Sequence, residues 1–377
     1  MRNDVKLVTR KVIEKFRRTV PMAATSDLLP YRSENGKWVE SPWNCGNGWW
    51  TAGFWPGMMW LLNAISPEKV FADEASRATE LMTEQFRVFR HLNHDVGFMF
   101  LLSCGGKYKL TGDEQSRWDT LHAAGLLMNR FNPTEKVNGG FIRAWDGKEQ
   151  LGYAIIDCMM NIPLLYWASR ETGDPRFVRV ARLHADTAAR EFVRADGSCC
   201  HIIELDPVTG EKVREHGGQG CAEGSSWSRG QAWALYGFTL LAMNTGEARD
   251  LATAERIARY FAANIREDGL TDCDFRQPED VYRLDNIAGA CAACGFLELA
   301  KLTGKAEYRA AAEKLLDGLI DHCCDFDPDG PYCGLLTHCT AAYHDDNVGT
   351  HTNITYGDYF FVEALCKVKG VDPMLWI

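Results

Sequence analysis

ETGDPRFVRVARLHADTAAREF, residues 171–192, holds a turn and the helix that follows it. Gly173 stands just past an apolar helical run. That is the place of a C′ cap, where one residue turns left-handed and glycine fits best. The helix after it carries its charge on one face. The same phrase returns three times. LTGDEQ (110–115), NTGEAR (244–249) and LTGKAE (302–307) share T-G followed by a charged or small residue. The glycines are 112, 173, 246 and 304, with spacings of 61, 73 and 58.

The runs before these glycines are apolar all round: IPLLYWAS (162–169), GQAWALYGFTLLAM (230–243), ACAACGFLELAK (290–301). A helix apolar on all sides is buried, and a one-sided helix is peripheral. Each repeat therefore reads as a hairpin of one inner and one outer helix. The pattern predicts twelve helices, near 3–18, 51–64, 68–89, 95–109, 114–130, 155–171, 175–193, 228–244, 248–265, 285–302, 306–321 and 355–368. Repeats that close on themselves need no caps. The expected fold is all-α: six hairpins in an (α/α)6 barrel, as a single domain over residues 1–377.

Composition narrows the function. Of 377 residues, 46% are hydrophobic, enough for a large core. The formal charge is −10, and no basic run exceeds KFRR (15–18), which disfavours nucleic acid as a partner. No apolar run reaches the length of a membrane span. The first twenty residues lack the apolar stretch of a signal peptide, so a cytoplasmic location is expected. The fourteen cysteines then read as reduced thiols, and the C-x-x-C at Cys291 and Cys294 as core rather than metal. Twelve Trp in an acidic chain suit a cleft that takes sugars or small ligands.

The repeat register marks candidate site residues. Asp95 lies 17 residues before Gly112, Asp157 16 before Gly173, Arg229 17 before Gly246 and Asp285 19 before Gly304. All four fall at the start of an inner helix, which places them at one mouth of the ring. Asp157 interrupts AIIDCMMNIPLLYWA (154–168), a segment that otherwise reads as core. Paired acids in a partly apolar cavity are equipment for general acid/base chemistry, because burial makes a carboxyl hold its proton more tightly. The plainer reading is that each Asp caps its helix. His91, His94 and Asp95 form H-x-x-H-D, read as a hydrogen-bonding pair at a helix start rather than a metal site. Arg229 and Gln219 are candidates to grip a carboxylate and hydroxyls. THCTAAYHDDNVGTH (337–351) is rich in His and Asp without regular ligand spacing and is expected to form a loop over the mouth.

These segments together resemble the unsaturated glucuronyl hydrolases, a group of glycoside hydrolases. The resemblance runs almost end to end, through GWWTAGFWPGMMWL (48–61), NHDVGFMF (93–100), IIDCMMNIPLLYWA (155–168), HIIELDPVTGE (201–211), GSSWSRGQAWALYGF (224–238) and YGDYFFVEAL (356–365). It implies an (α/α)6 barrel and removal of a terminal Δ4,5-unsaturated uronic acid from oligosaccharides made by polysaccharide lyases. It further implies hydration of the C4=C5 vinyl ether, with no cofactor and no metal. The acid/base role falls on Asp157, and the second catalytic role on Asp95, which the resemblance implies binds ring hydroxyls and keeps the pKa of Asp157 high. Substrate binding falls on Trp50, His94, Trp145, His201, Gln219, Arg229, Trp233 and, more weakly, Tyr343.

Three departures from the family pattern stand out. Ala52 replaces an expected acid. Gly218 replaces an expected His directly before Gln219. The segment after Asp285 lacks the usual serines. The rival readings are an unsaturated rhamnogalacturonyl hydrolase with the same chemistry, a sugar epimerase or lyase on the same barrel, and a sugar-binding protein without catalysis.

Overall fold

In the computed structural model, residues 1–136, 139–345 and 348–377 are described. The inner ring is built from Phe54–Ile65, Gly97–Gly105 continuing into Gly106–Thr111, Pro163–Thr172, Ser228–Thr245, Asn286–Thr303 and Thr355–Lys369. Each packs on the next, and Thr355–Lys369 packs on Phe54–Ile65, which closes the circle. The outer helices are Val5–Ala23, Lys69–Thr83, Glu114–Asn129, Pro175–Glu191, Ala248–Ala263 and Ala306–His322. The sixth hairpin joins the two ends of the sequence, because Val5–Ala23 packs on Thr355–Lys369.

The T-G turns do what their sequence asks. Gly112, Gly173, Gly246 and Gly304 have φ of 73, 72, 67 and 70° and end their inner helices as left-handed caps. Gly370, at φ 71°, is a fifth that the T-G phrase does not mark. Inner helices are buried on every side over most of their length, as in Ser228–Thr245 from Ser228 to Ala242, although the last turn before Gly112 is exposed. The outer helices bury one stripe; Pro175–Glu191 buries Phe177, Ala181, His184, Ala185 and Ala188.

Two inner elements depart from regular helices, both beside a candidate acid. The stretch expected as a helix over 95–109 begins as a π-helix, Gly97–Gly105. The one expected over 155–171 begins as a 3₁₀ turn, Ile156–Met160, before Pro163–Thr172. Irregular turns of this kind cluster where side chains must be aimed rather than merely packed. The expected 68–89 helix ends at Thr83, with one further turn at Gln85–Val88 closed by left-handed Phe89.

Short strands surround the mouth; the sequence DGSCCHIIELDP (196–207) reads as a short strand or loop, and it holds the strand Ile202–Leu205. Tyr153–Ile155, Ile202–Leu205 and Lys212–His216 form an antiparallel sheet that carries Asp157 and His201 at its edge. Arg32–Glu34 pairs with Lys37–Val39 and Asn353–Ile354. At the other end, the segment after Gly370 turns back under the ring. Trp376 is buried there, against Phe54, Phe98, Tyr236 and Phe360 from four inner elements. No helix is long and apolar enough to cross a membrane among the described residues.

Candidate active site

The mouth of the ring opens into a cavity of about 400 Å³. Its walls include Tyr31, Trp43, Trp49, Trp50, Trp145 and Tyr356, and its polar groups are Asn93, His94, Asp95, Asp157, His201 and Gln219. No Lys or Arg lines it among the described residues. Trp43 and Trp49 stack with centroids 4.5 Å apart, forming a flat aromatic face at the rim. Both are half-buried, as are Trp50 and Trp145.

Asp95 enters from the turn before the π-helix, and Asp157 from the 3₁₀ turn after Ile155. Both are buried, at 6% and 7% exposure, so neither carboxyl is served by bulk water alone. Burial first, and the charge of Asp157 second, push the Asp95 carboxyl well above the usual carboxylate range. His94 Nε2 lies 3.5 Å from Asp95 Oδ2. Burial, opposed by the charge of Asp157, pushes His94 down to about 3, so it is a neutral imidazole at physiological pH. His91 takes a left-handed conformation at φ 65° and does not line the cavity.

His201 faces the other acid, with Nε2 3.6 Å from Asp157 Oδ1. Its far nitrogen, Nδ1, accepts from the Gln219 N–H at 3.0 Å. That hydrogen bond sets the tautomer: in neutral His201 the proton sits on Nε2, toward Asp157. The approach depends on Gly218, which has φ 57° and sits where any side chain would collide with His201 Nδ1. The departure at 218 is thus a structural requirement of this loop. Gln219 also donates through Nε2 to Ala341 O at 2.6 Å and accepts at its carbonyl from Tyr343 N–H at 2.9 Å. This stitches the 217–220 turn to the loop after Leu336. That loop reaches the mouth through Ala341 and Ala342; its Asp346 and Asn347 lie outside the described residues.

Asn161 was not among the expected site residues. It is fully buried and touches both acids. Its Nδ2 donates to Asp95 Oδ1 at 3.3 Å and to the Asp157 carbonyl at 3.1 Å, while Oδ1 accepts from Phe98 N–H at 2.7 Å. The only sequence signal was its place one turn after Asp157.

Three expected contacts lie behind the lining rather than in it. Arg229 is fully buried, and its donors are taken by protein groups. Nε lies 3.2 Å from Asp285 Oδ2, and Nη2 donates to Thr340 O and Ala341 O, each at 2.6 Å. Nη1 donates to the Tyr356 hydroxyl. Asp285, the fourth register residue, is spent on this ion pair and on capping its helix. Trp233 sits one layer below the cavity, between Phe98 and Phe360 at 5.2 and 5.4 Å. Tyr343 packs under Arg283, 4.6 Å from its ring centre. Ala52 is buried beneath the mouth and is not part of the lining. The other seven named residues, Trp50, His94, Asp95, Trp145, Asp157, His201 and Gln219, share one cavity.

Comparison with known proteins gives a consistent family. The sequence model described as Glycosyl Hydrolase Family 88 matches residues 22–368. The chain is 36% identical over 382 residues to unsaturated glucuronyl hydrolase of Bacillus sp. (strain GL1), covering 98% of this chain and 96% of that one. It is 33% identical to unsaturated chondroitin disaccharide hydrolase of Streptococcus pneumoniae (strain ATCC BAA-255 / R6), over 87% of this chain and 83% of the relative. The crystal structure of the Bacillus sp. GL1 unsaturated glucuronyl hydrolase superposes with a TM-score of 0.88 at 32% identity, over 98% of both chains. Sequence, ring architecture and an acid-lined mouth agree: this chain belongs to glycosyl hydrolase family 88 and is a glycoside hydrolase.

Proposed function

We propose that this enzyme removes the terminal Δ4,5-unsaturated uronic acid from oligosaccharides left by polysaccharide lyases, with chondroitin- and hyaluronan-type disaccharides as the foremost substrates. The observation that carries this reading is the pair Asp95 and Asp157, buried side by side in one aromatic-walled cavity and bridged by Asn161. The names of the relatives support the substrate class. The whole chain acts as one catalytic domain.

In this reading the vinyl ether of the sugar lies between the acids and the aromatic wall. Asp157 delivers a proton to C4, and cationic character develops at C5. Water then adds at C5 and returns its proton to Asp157. The resulting hemiketal opens, and the aglycone sugar leaves. Asp95, whose carboxyl burial and the charge of Asp157 push up, hydrogen-bonds a ring hydroxyl, and neutral His94 orients beside it. His201 presents Nε2–H near Asp157, and Gln219 holds that tautomer. Trp50 and Trp145 contact sugar faces. Arg229, Trp233 and Tyr343 serve the substrate indirectly, by fixing the loop and floor behind the lining. The fourteen cysteines are all free thiols, which suits the cytoplasm as the site of action.

The test is loss of the ultraviolet absorbance of the conjugated C4=C5 bond, with unsaturated chondroitin and hyaluronan disaccharides offered separately. Bleaching of either supports the reading. If neither is bleached and unsaturated rhamnogalacturonan fragments are, the chemistry stands and the aglycone is reassigned. If none is bleached, vinyl-ether hydration is wrong for this chain.

A further inference from the structure

We propose that Asn161 is a positioning residue that holds Asp95 and Asp157 as one catalytic unit across two hairpins. The proposal deepens the function reading and rests on it. Asp95 and Asp157 belong to different hairpins and have no direct bond to each other in the chain's hydrogen-bond network. One side chain spans them. Asn161 Nδ2 reaches the Asp95 carboxylate and the Asp157 carbonyl, at 3.3 and 3.1 Å. Its Oδ1 takes the Phe98 N–H, a donor left open in the first turn of the π-helix that follows Asp95. A shift of the second hairpin relative to the third would therefore break the bonds to Asp95 and Phe98 together, while the bond to the Asp157 carbonyl ties the amide to the turn that carries Asp157.

The surroundings leave Asn161 no freedom. It is fully buried. A Cβ on Gly97 would lie 2.6 Å from Asn161 Cα and 2.7 Å from both its carbonyl and its Oδ1. Gly97 is thus the residue that lets the π-helix approach the amide. The Asn161 N–H is itself bonded to the Cys158 carbonyl at 2.9 Å, inside the turn that presents Asp157. Packing of this kind fixes one rotamer, and a donor fixed between the Asp95 carboxyl and the Asp157 backbone sets the spacing of the two acids.

Two variants separate positioning from mere support. Asn161→Ala removes the three side-chain bonds. Asn161→Asp keeps the size and the acceptor for Phe98 N–H but replaces the donor by an oxygen. Both should lower kcat about 10- to 100-fold with KM within about threefold, since misplaced catalytic groups cost turnover more than binding. In Asn161→Ala the limb of the pH profile governed by the carboxyl pair should move to higher pH, because Asp95 loses a donor that favours its charged form. Residual catalysis within about twofold of wild type in Asn161→Asp would overturn the proposal. So would a loss of thermal stability in Asn161→Ala with kcat and the pH profile unmoved. If the wild type bleaches no unsaturated substrate, the function reading fails separately. The carbon-13 titration of the Asp95 carboxyl then decides alone: an upward shift in Asn161→Ala sustains the proposal, and an unchanged midpoint overturns it.

Discussion

At the closed end of the ring, Glu298, Glu363 and Asp372 surround Lys367, whose Nζ lies 3.0, 3.1 and 2.5 Å from them. At the open end, Asp95 and Asp157 share a cavity with no cation in its lining. Both ends bury carboxyl groups, but only one compensates them. The closed end adds donors as well: Trp376 Nε1 gives to Glu363 Oε2 at 2.9 Å, and the Tyr236 hydroxyl gives to Glu363 Oε1. At the mouth, Asp157 Oδ1 is buried with no hydrogen-bond partner. A buried polar atom without a partner costs free energy that folding must offset elsewhere. A site keeps such an atom where a ligand is to supply the partner. Arg229–Asp285 shows the intermediate case: it stands at the same register as the two acids and is paired, and it lies behind the lining instead of in it.

The hardest blow to this contrast is struck at Asp157. Asn there keeps the shape and removes the proton. Turnover should fall by about a thousandfold or more, a loss of about 4 kcal/mol in transition-state stabilisation, with thermal unfolding unchanged. An Asp157→Asn enzyme that still bleaches substrate at the wild-type rate would strip the mouth of its catalytic meaning. At the other end, Lys367→Met should do the reverse. It leaves Glu363 and Asp372 without their cation and Glu298 with Lys301 alone, and should cost about 3–5 kcal/mol of stability. Specific activity of the folded fraction should stay as it was. The uncompensated carboxyls would then bind protons more tightly folded than unfolded, so the deficit should be smaller at pH 5 than at pH 8. Unfolding curves at the two pH values check this, and equal deficits would mean that Lys367 is not the counter-charge.

Asp95 sharpens the comparison through pH. Its folded-state carboxyl is raised above the ordinary value by burial and by Asp157. The native state therefore binds the proton that the unfolded state releases, and stability falls as pH rises from the ordinary carboxylate range toward the raised value. Asp95→Asn removes this penalty. The variant should match wild type in stability at pH 3 and exceed it at pH 8, while turnover drops. A variant less stable than wild type at pH 8 would show that the charged form of Asp95 is a structural asset.

The two ends also differ in how far their sequence could be read. The closed rings of the T-G turns were legible because a left-handed cap is a local event, written in one glycine. The split into inner and outer helices was legible because burial on all sides leaves no polar face. Register placed Asp95, Asp157, Arg229 and Asp285 at one height along the ring. It did not say which way each side chain points, since direction turns by about 100° per helical residue. That is why Arg229 and Trp233, four residues apart on one helix, both point behind the lining. Asn161 was hidden for another reason. Its partners Asp95 and Phe98 are 66 and 63 residues away, and nothing local to NIPLL announces them. The short strands of two to five residues carry too few alternations to show a period of two.

The smallest effect tests the aromatic half of the same contrast. Trp43 stacks on Trp49 at the rim, half-buried, with its face beside the cavity. Trp376 lies parallel to Phe360 at 6.3 Å and is wholly enclosed. The two stacks use the same ring chemistry for different ends. Removing the rim ring takes contact surface from a bound sugar and little from the core. Trp43→Ala should therefore raise KM about three- to tenfold, near 1 kcal/mol, and leave kcat and thermal unfolding close to wild type. Trp376→Ala should leave KM alone and lower the unfolding temperature, because it empties the axis of the ring. If Trp43→Ala instead unfolds the protein early with KM unmoved, the rim stack is core that happens to be exposed, and the division of labour between the two ends holds for the charges only.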